Sequence, residues 1–363
     1  MEKKLIDILK IDALEMLRDL VRIPSGTGNE EAVSNMVAER FSEWNICFER
    51  YGWNIVCRQD NFDPTKRTLM LCAHLDTVAP GENYSFNPYS PVQESFADAV
   101  YGLGSNDDGG SVAALTATFR YLAGKSLPFN LILVLSVEEE KSGPNGMRKL
   151  WKENLSNFVD MAIVGEPTGM KAATAERGLI VLDCTADGIS GHAAREEGVN
   201  ALYKAVEDIE RLRNHRFARR SDTMGDVHLA VTQINGGTAH NVVPDRCTFV
   251  VDVRPTDVYD NKALVEELQA ECSSTLVARN LTHQSSSAMK DSPLVKCALD
   301  IGLETFISPT TSDWMLIDCD AIKMGPGDSA RSHKKDEYLL NSELSAGIDI
   351  YIQFIQKYAD TLE

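Results

Sequence analysis

The chain has 363 residues, and that length favours two domains over one core. A 43% hydrophobic fraction and 25% charged residues describe a globular protein with ample surface to bury. A formal net charge of -18 argues against nucleic acid as a partner, because nucleic-acid binding relies on clustered Lys and Arg. No run approaches the ~20 apolar residues that span a bilayer. The first two dozen residues mix charges into apolar positions, which reads as an amphipathic helix and not a secretory signal, so a cytoplasmic protein is expected. Eight scattered cysteines without a C-x-x-C pair fit free thiols in a reducing compartment.

In chain order, Leu14, Leu17 and Val21 mark a first helix that stops at Pro24. Val33, Val37, Phe41 and Trp44 mark a second. Three unbroken apolar runs follow, 69–73, 131–135 and 161–164, each reading as a strand buried on both faces. A helix over 111–122 lies between the first two. Alternating buried strands and helices predict an α/β class with a mostly parallel sheet. From about Lys171 the texture changes. Strand 180–186, a helix through Leu202 and Leu212, and alternating runs at 227–231 and 247–253 come next. A helix marked by Leu264, Leu268, Cys272 and Leu276 follows, with a weak last strand near Leu281. That order is ferredoxin-like. The expected layout is a catalytic domain over 1–171 and 284–363, with an inserted α+β lid and dimerisation domain over 172–283. A last helix starts near Asn341.

Ligands of open α/β sheets bind beyond the carboxyl ends of the strands. There the first apolar run ends in His74-Leu75-Asp76, the second in Glu138-Glu139-Glu140 and the third in Gly165-Glu166-Pro167. Asp107 and Asp108 stand in a Gly-rich turn before a helix, and His333 follows Gly325-Pro326-Gly327. Taken singly, each is an ordinary surface or capping feature. Jointly, they deliver carboxylates and imidazoles to one sheet edge, where like charges repel unless a divalent cation sits among them. Carboxylate and imidazole together suit zinc, with cobalt or manganese as alternatives.

These motifs resemble, in order and over nearly the whole chain, those of the zinc amidohydrolase family that contains acetylornithine deacetylase, acetyl-lysine deacetylase, succinyl-diaminopimelate desuccinylase, carboxypeptidase G and the tripeptide aminopeptidases. The resemblance implies two zinc ions, one held by His74, Asp107 and Glu166, the other by Asp107, Glu140 and His333. It implies Glu139 as general base and Asp76 as the carboxylate that orients the His74 imidazole. The family order of acidic residue, base and ligand sets the register through Glu138-Glu139-Glu140. A slip of one residue is the competing register.

In the lid, His192 of Gly188-Ile189-Ser190-Gly191-His192 resembles the histidine that donates to the developing oxyanion. Asn241 and Arg254 resemble the substrate-contacting Asn and the carboxylate clamp. Two departures stand out: the residue two beyond Asp107, often Lys in the family, is Gly109, and the usual Asn-Glu after the last histidine is Asp336-Glu337. The implied activity is hydrolysis of the N-acyl amide of a small N-acyl amino acid, with N-acetylornithine the first expectation. Other acyl-amino acids, or a dipeptidase or exopeptidase on the same scaffold, are the alternatives. A homodimer without nucleic-acid or membrane partners is expected.

Overall fold

The computed structural model describes residues 2–92, 98–195 and 197–362. The chain divides into two compact units, one of residues 1–174, 288–306 and 312–363, the other of 175–287 and 307–311.

The first unit opens with α1 (Glu2–Arg22), which buries Leu17 and Val21 on one stripe and leaves Leu14 half-covered. Then come α2 (Glu31–Glu43), the hairpin β1 (Phe48–Tyr51) and β2 (Asn54–Arg58), β3 (Thr68–His74), β4 (Ala99–Tyr101) and α3 (Gly109–Leu122). They are followed by β5 (Asn130–Ser136), the short α4 (Met147–Leu150), β6 (Met161–Val164) and β7 (Ala172–Glu176), which runs across the boundary between units. Every residue of β3, β5 and β6 is buried, as expected for strands covered on both faces.

The second unit contains β8 (Ile180–Asp187), β9 (Gly191–His192), α5 (Ala201–Asn214), β10 (His228–Gly236), β11 (Val242–Val243), β12 (Arg246–Arg254), α6 (Asn261–Glu271), β13 (Thr275–Ala278) and β14 (Ser286–Ser287). The chain closes with α7 (Pro293–Asp300), β15 (Thr305–Ser308), β16 (Asp320–Lys323), β17 (Tyr338–Leu340) and α8 (Asn341–Asp360).

In the main sheet, strands run in the order β1-β2-β5-β3-β6-β16-β7. The pairs β5–β3, β3–β6 and β6–β16 are parallel; the hairpin pairs antiparallel at one edge. Helices α1 and α8 bury one face, and α3 every residue but Arg120, against a common apolar core that includes Leu17, Leu115 and Tyr351. The fold is α/β with a mainly parallel central sheet.

The second unit carries a four-stranded antiparallel sheet ordered β10-β12-β8-β13, with α5 and α6 packed on one face. That order, with the connection β-α-β-β-α-β, is ferredoxin-like. Two details differ from the sequence expectation. Helix α6 ends at Glu271, with Cys272 its C-cap, so the heptad-like spacing to Leu276 runs on across a turn into a strand. The last strand is Thr275–Ala278, not the segment near Leu281. Leu276 satisfies helical and strand spacing alike, because i+4 and i+2 periods coincide there. Among the described residues, no helix is long and apolar enough to cross a membrane.

Candidate metal centre

Strand β3 delivers His74 at its carboxyl end, 3% exposed, with Nε2 3.2 Å from Asp107 Oδ1, 3.9 Å from Glu139 Oε2 and 4.0 Å from Glu166 Oε1. The other ring nitrogen, Nδ1, lies 2.9 Å from the backbone carbonyl of Asp76 and 3.5 Å from its carboxylate. The Asp76 carbonyl therefore makes the closer contact with the ring. The Asp76 carboxylate is fully buried and spends its oxygens elsewhere: it accepts Thr27 Oγ1–H at 2.8 Å and the amides of Glu139 and Glu140 at 2.9 and 3.2 Å. One side chain thus ties the end of β3 to the turn after β5.

Asp107 stands in the turn before α3, and Glu337 holds that turn. Its carboxylate accepts the amides of Gly104 at 3.1 Å and of Asn106 and Asp107 at 2.9 Å each. Burial, with the neighbouring Asp107 charge, pushes the Glu337 pKa up to about 8. The Gly109 departure has a steric reason: a Cβ there would lie 2.4 Å from the carbonyl oxygen of Gly104 and 2.9 Å from Leu17 Cδ1, so no side chain fits this turn. Glu166 follows β6 through Gly165, where a Cβ would meet Ser111 Cβ at 2.7 Å.

His333 sits at φ 59° in the loop before β17. Its Nε2 is 3.0 Å from the Glu140 carboxylate and 3.7 Å from Asp107 Oδ2. The hydrogen bond with Glu140 outweighs burial and raises the His333 pKa to about 8.

Among the described residues, two groups of potential metal-holding atoms result, His74–Asp107–Glu166 and Asp107–Glu140–His333, each with all its ligand atoms within 4.8 Å of one another. They share Asp107. The donors present fit divalent cations. Burial raises the pKa of Glu139, Glu166 and Asp108 well above the carboxylate range, and carboxylate neighbours push each further up. Burial pulls the His74 pKa down, yet hydrogen bonds with Asp107 and Asp76 outweigh it and hold the ring well above its usual value. Asp108 Oδ1 is buried without a hydrogen-bond partner. Such crowded anionic charge is relieved by cations, and nitrogen with oxygen donors is the set that zinc and its neighbours take. The site therefore fits a dinuclear centre.

The sequence-predicted lid residues lie in the second unit. His192, exposed in β9, pairs across to Val242 of β11, and its Nδ1 accepts the Ala194 amide at 3.2 Å. Asn241 is next door; its carbonyl accepts the Ala193 amide at 3.1 Å. Arg254 lies at the far end of β12, eight rises of ~3.4 Å, or roughly 27 Å, from Arg246. In this position Arg254 donates to Asp252 through Nε at 2.7 Å and Nη2 at 3.0 Å. It borders a cavity of about 640 Å³ lined also by Arg213, Arg216, His228 and Asp226. The structure therefore groups His192 with Asn241 and separates both from Arg254 within the unit.

Sequence reasoning missed Asp313, whose Oδ2 accepts Ser136 Oγ–H at 2.6 Å and whose charge adds to the pressure on Glu139. Nothing in the local pattern around Ser312-Asp313 marked it. Glu337 stood in the sequence only as the Glu of the pair after His333, with no role assigned to it.

Comparison with known proteins accords with this geometry. A family model described as "Peptidase dimerisation domain" matches residues 174–280, and one described as "Peptidase family M28" matches 54–222. A probable succinyl-diaminopimelate desuccinylase of Staphylococcus aureus is 25% identical over 401 residues, covering 96% of this chain and 97% of its own. The structure of an aminopeptidase from Bacillus cereus superposes with TM-score 0.75 at 18% identity, covering 96% of this chain and 99% of that one. A dinuclear metal-binding peptidase of the M20 family from Bacillus subtilis superposes with TM-score 0.71 at 15% identity, covering 98% and 99%. The chain thus carries a peptidase dimerisation domain over 174–280, is similar along nearly its whole length to desuccinylases and shares its fold with an M20 peptidase, and it is a metal-dependent amide hydrolase.

Proposed function

We propose that this enzyme removes the acyl group from the nitrogen of a small N-acyl amino acid. The observation that carries the reading is the placement of Glu139: it stands 3.9 Å from His74 Nε2 yet belongs to neither potential metal-holding group. A carboxylate so placed is free to move a proton.

His74, Asp107 and Glu166 would hold one zinc ion, and Asp107, Glu140 and His333 the other, with cobalt or manganese as alternatives. Bound there, the pair would polarise the amide carbonyl and lower the pKa of water. Glu139 takes the proton from the attacking water and returns it to the departing amine nitrogen, a transfer that typically contributes ~10² to 10⁴-fold. Asp76 fixes both the His74 ring and the turn carrying Glu139. His192 donates a hydrogen bond to the carbonyl oxygen as negative charge develops there. Asn241 contacts the substrate beside it. Arg254 pairs with the substrate's free carboxylate. Asp252 occupies two of its five N–H donors and leaves three for a ligand.

The spacing inside the second unit supports a homodimer. The segment leading to His192 leaves the lid sheet beside Arg246, at one end of β12, whereas Arg254 stands at the other end, roughly 27 Å from Arg246, a span that one small substrate does not bridge. A second copy supplies the missing histidine. The dimerisation-domain match over 174–280 supports the same reading.

The sequence reading puts N-acetylornithine first among acyl-amino acids. The curated relatives named as desuccinylases favour a succinyl group on a diamino acid, at the same scissile bond. The structural likeness to an aminopeptidase supports peptides as the second reading. Purified enzyme should be assayed on N-acetylornithine, N-succinyl-diaminopimelate and a tripeptide, before and after chelation and metal return. Cleavage of an acyl-amino acid, lost on chelation and restored by zinc, is expected. Turnover of the peptide alone would replace the deacylase reading with the peptidase one.

A further inference from the structure

A second cavity, of about 510 Å³, opens in the first unit beside the turn of the β1–β2 hairpin. Its lining carries three carboxylates, Glu30, Glu138 and Glu153, against one ammonium, Lys149. Glu30 is 1% exposed and is held in place by the amides of Gly28 at 2.9 Å and Glu138 at 3.1 Å, both donating to Oε1. Glu138 accepts the Asn145 amide on Oε2 at 2.8 Å and its Nδ2–H on Oε1 at 2.9 Å. Each of those oxygens keeps a lone pair for another donor.

Aromatic surface completes the lining. Tyr51 and Trp53 border the cavity, and Trp53 is 39% exposed. The Arg50 guanidinium already lies 5.3 Å from the Trp53 ring centroid, so this indole holds a cation on one face. An anionic ligand would meet three like charges here. A neutral apolar ligand would cover carboxylates without pairing them, which is costly.

We propose that this cavity is a second ligand site that takes a small organic cation, an alkylammonium or alkylguanidinium. The charged head pairs with Glu138 and Glu153, and the alkyl chain lies on Trp53. The volume falls within the ~300–1,000 Å³ usual for small-molecule pockets. None of these residues belongs to the metal-holding groups, and none is among the residues given a role in substrate contact or proton transfer.

Calorimetric titration of the metal-loaded full chain with agmatine, and with 1,4-diaminobutane, tests it. One saturable site per chain is expected for at least one probe. A Trp53→Ala/Glu153→Gln double variant should bind it at least about fivefold more weakly while keeping kcat within about twofold, both positions being exposed. Glu139→Gln should bind the probe as the wild type does, which separates this site from the amine-binding part of the active site. No heat with either probe up to about 10 mM, tenfold above a ~1 mM Kd, would overturn the proposal. So would equal affinity in the double variant.

Discussion

The carboxylate of Asp76 accepts the backbone amide of Glu139 at 2.9 Å, so the residue two beyond His74 of β3 also sets the turn that presents the candidate base. The same carboxylate takes the Glu140 amide and the Thr27 hydroxyl, and it is fully buried. Asparagine there has one acceptor oxygen and places an N–H group against a donor. Asp76→Asn should therefore lower kcat by ~10–100-fold, the usual range for a partner that orients metal ligands. It should also lower Tm by leaving a buried amide unpaired, at ~1–3 kcal/mol. Steady-state kinetics with a thermal melt checks both. An unchanged kcat would confine Asp76 to a structural role.

Glu337 makes a similar case for the other half of the site. Three amides of the turn 104–107 donate to its carboxylate, so the placement of Asp107 depends on it. Glu337→Gln should weaken metal binding ~10–100-fold, read by titration with a competing chelator. Binding as tight as wild type would show that the turn holds Asp107 without it.

The separation of His192 from Arg254 predicts complementation between chains. His192→Ala and Arg254→Ala variants should each lose at least about tenfold in kcat/KM, since donors to developing charge and charged substrate contacts are each worth ~1.5 kcal/mol or more. Mixed dimers of the two should regain activity in the site that draws its Arg254 from one chain and its His192 from the other. Verified heterodimers without recovery would place both residues in the same site of one chain, or neither in any.

In the lid, Asp208 accepts the amides and hydroxyls of Ser273 and Ser274 and pairs with Arg211. Burial works to raise its pKa, but the bonds from Ser274 and Ser273 outweigh it and hold the pKa below its ordinary value. A carboxyl depressed in the folded state adds stability above its unfolded pKa of ~3.9, and that stability is lost as pH falls through the folded value. Asp208→Asn should thus destabilise the lid by ~1–3 kcal/mol near neutral pH. The gap to wild type should close as pH drops below ~4. Amide exchange in α5 measured across pH follows it. A gap independent of pH would mean that the charge plays no part.

Much of this architecture was legible in the residues. The unbroken runs 69–73, 131–135 and 161–164 could only be strands covered on both faces, and the chemistry-bearing residues follow their carboxyl ends. The lid's order followed from its change of period. The β1–β2 hairpin escaped notice because Phe48 to Arg58 alternates weakly, with charges at Glu49, Arg50 and Arg58. Leu276 was misassigned because its spacing from Leu268 fits a helix that Cys272 already ends. The roles of Glu337 and Asp313 were not legible at all. Each acts through backbone amides or a hydroxyl far away in sequence, and such partners leave no local pattern. The pairing of Arg254 with Asp252 at i−2 was within reach, since alternate residues of a strand share a face.

The most direct test of the account is the division of labour between Glu139 and Glu140. Metal analysis and kcat should be measured on Glu139→Gln and Glu140→Gln in parallel. The account predicts that Glu139→Gln keeps two metal ions per chain and loses ~10² to 10⁴-fold in kcat, while Glu140→Gln loses one ion together with activity. Loss of an ion from Glu139→Gln, with both retained in Glu140→Gln, would contradict it.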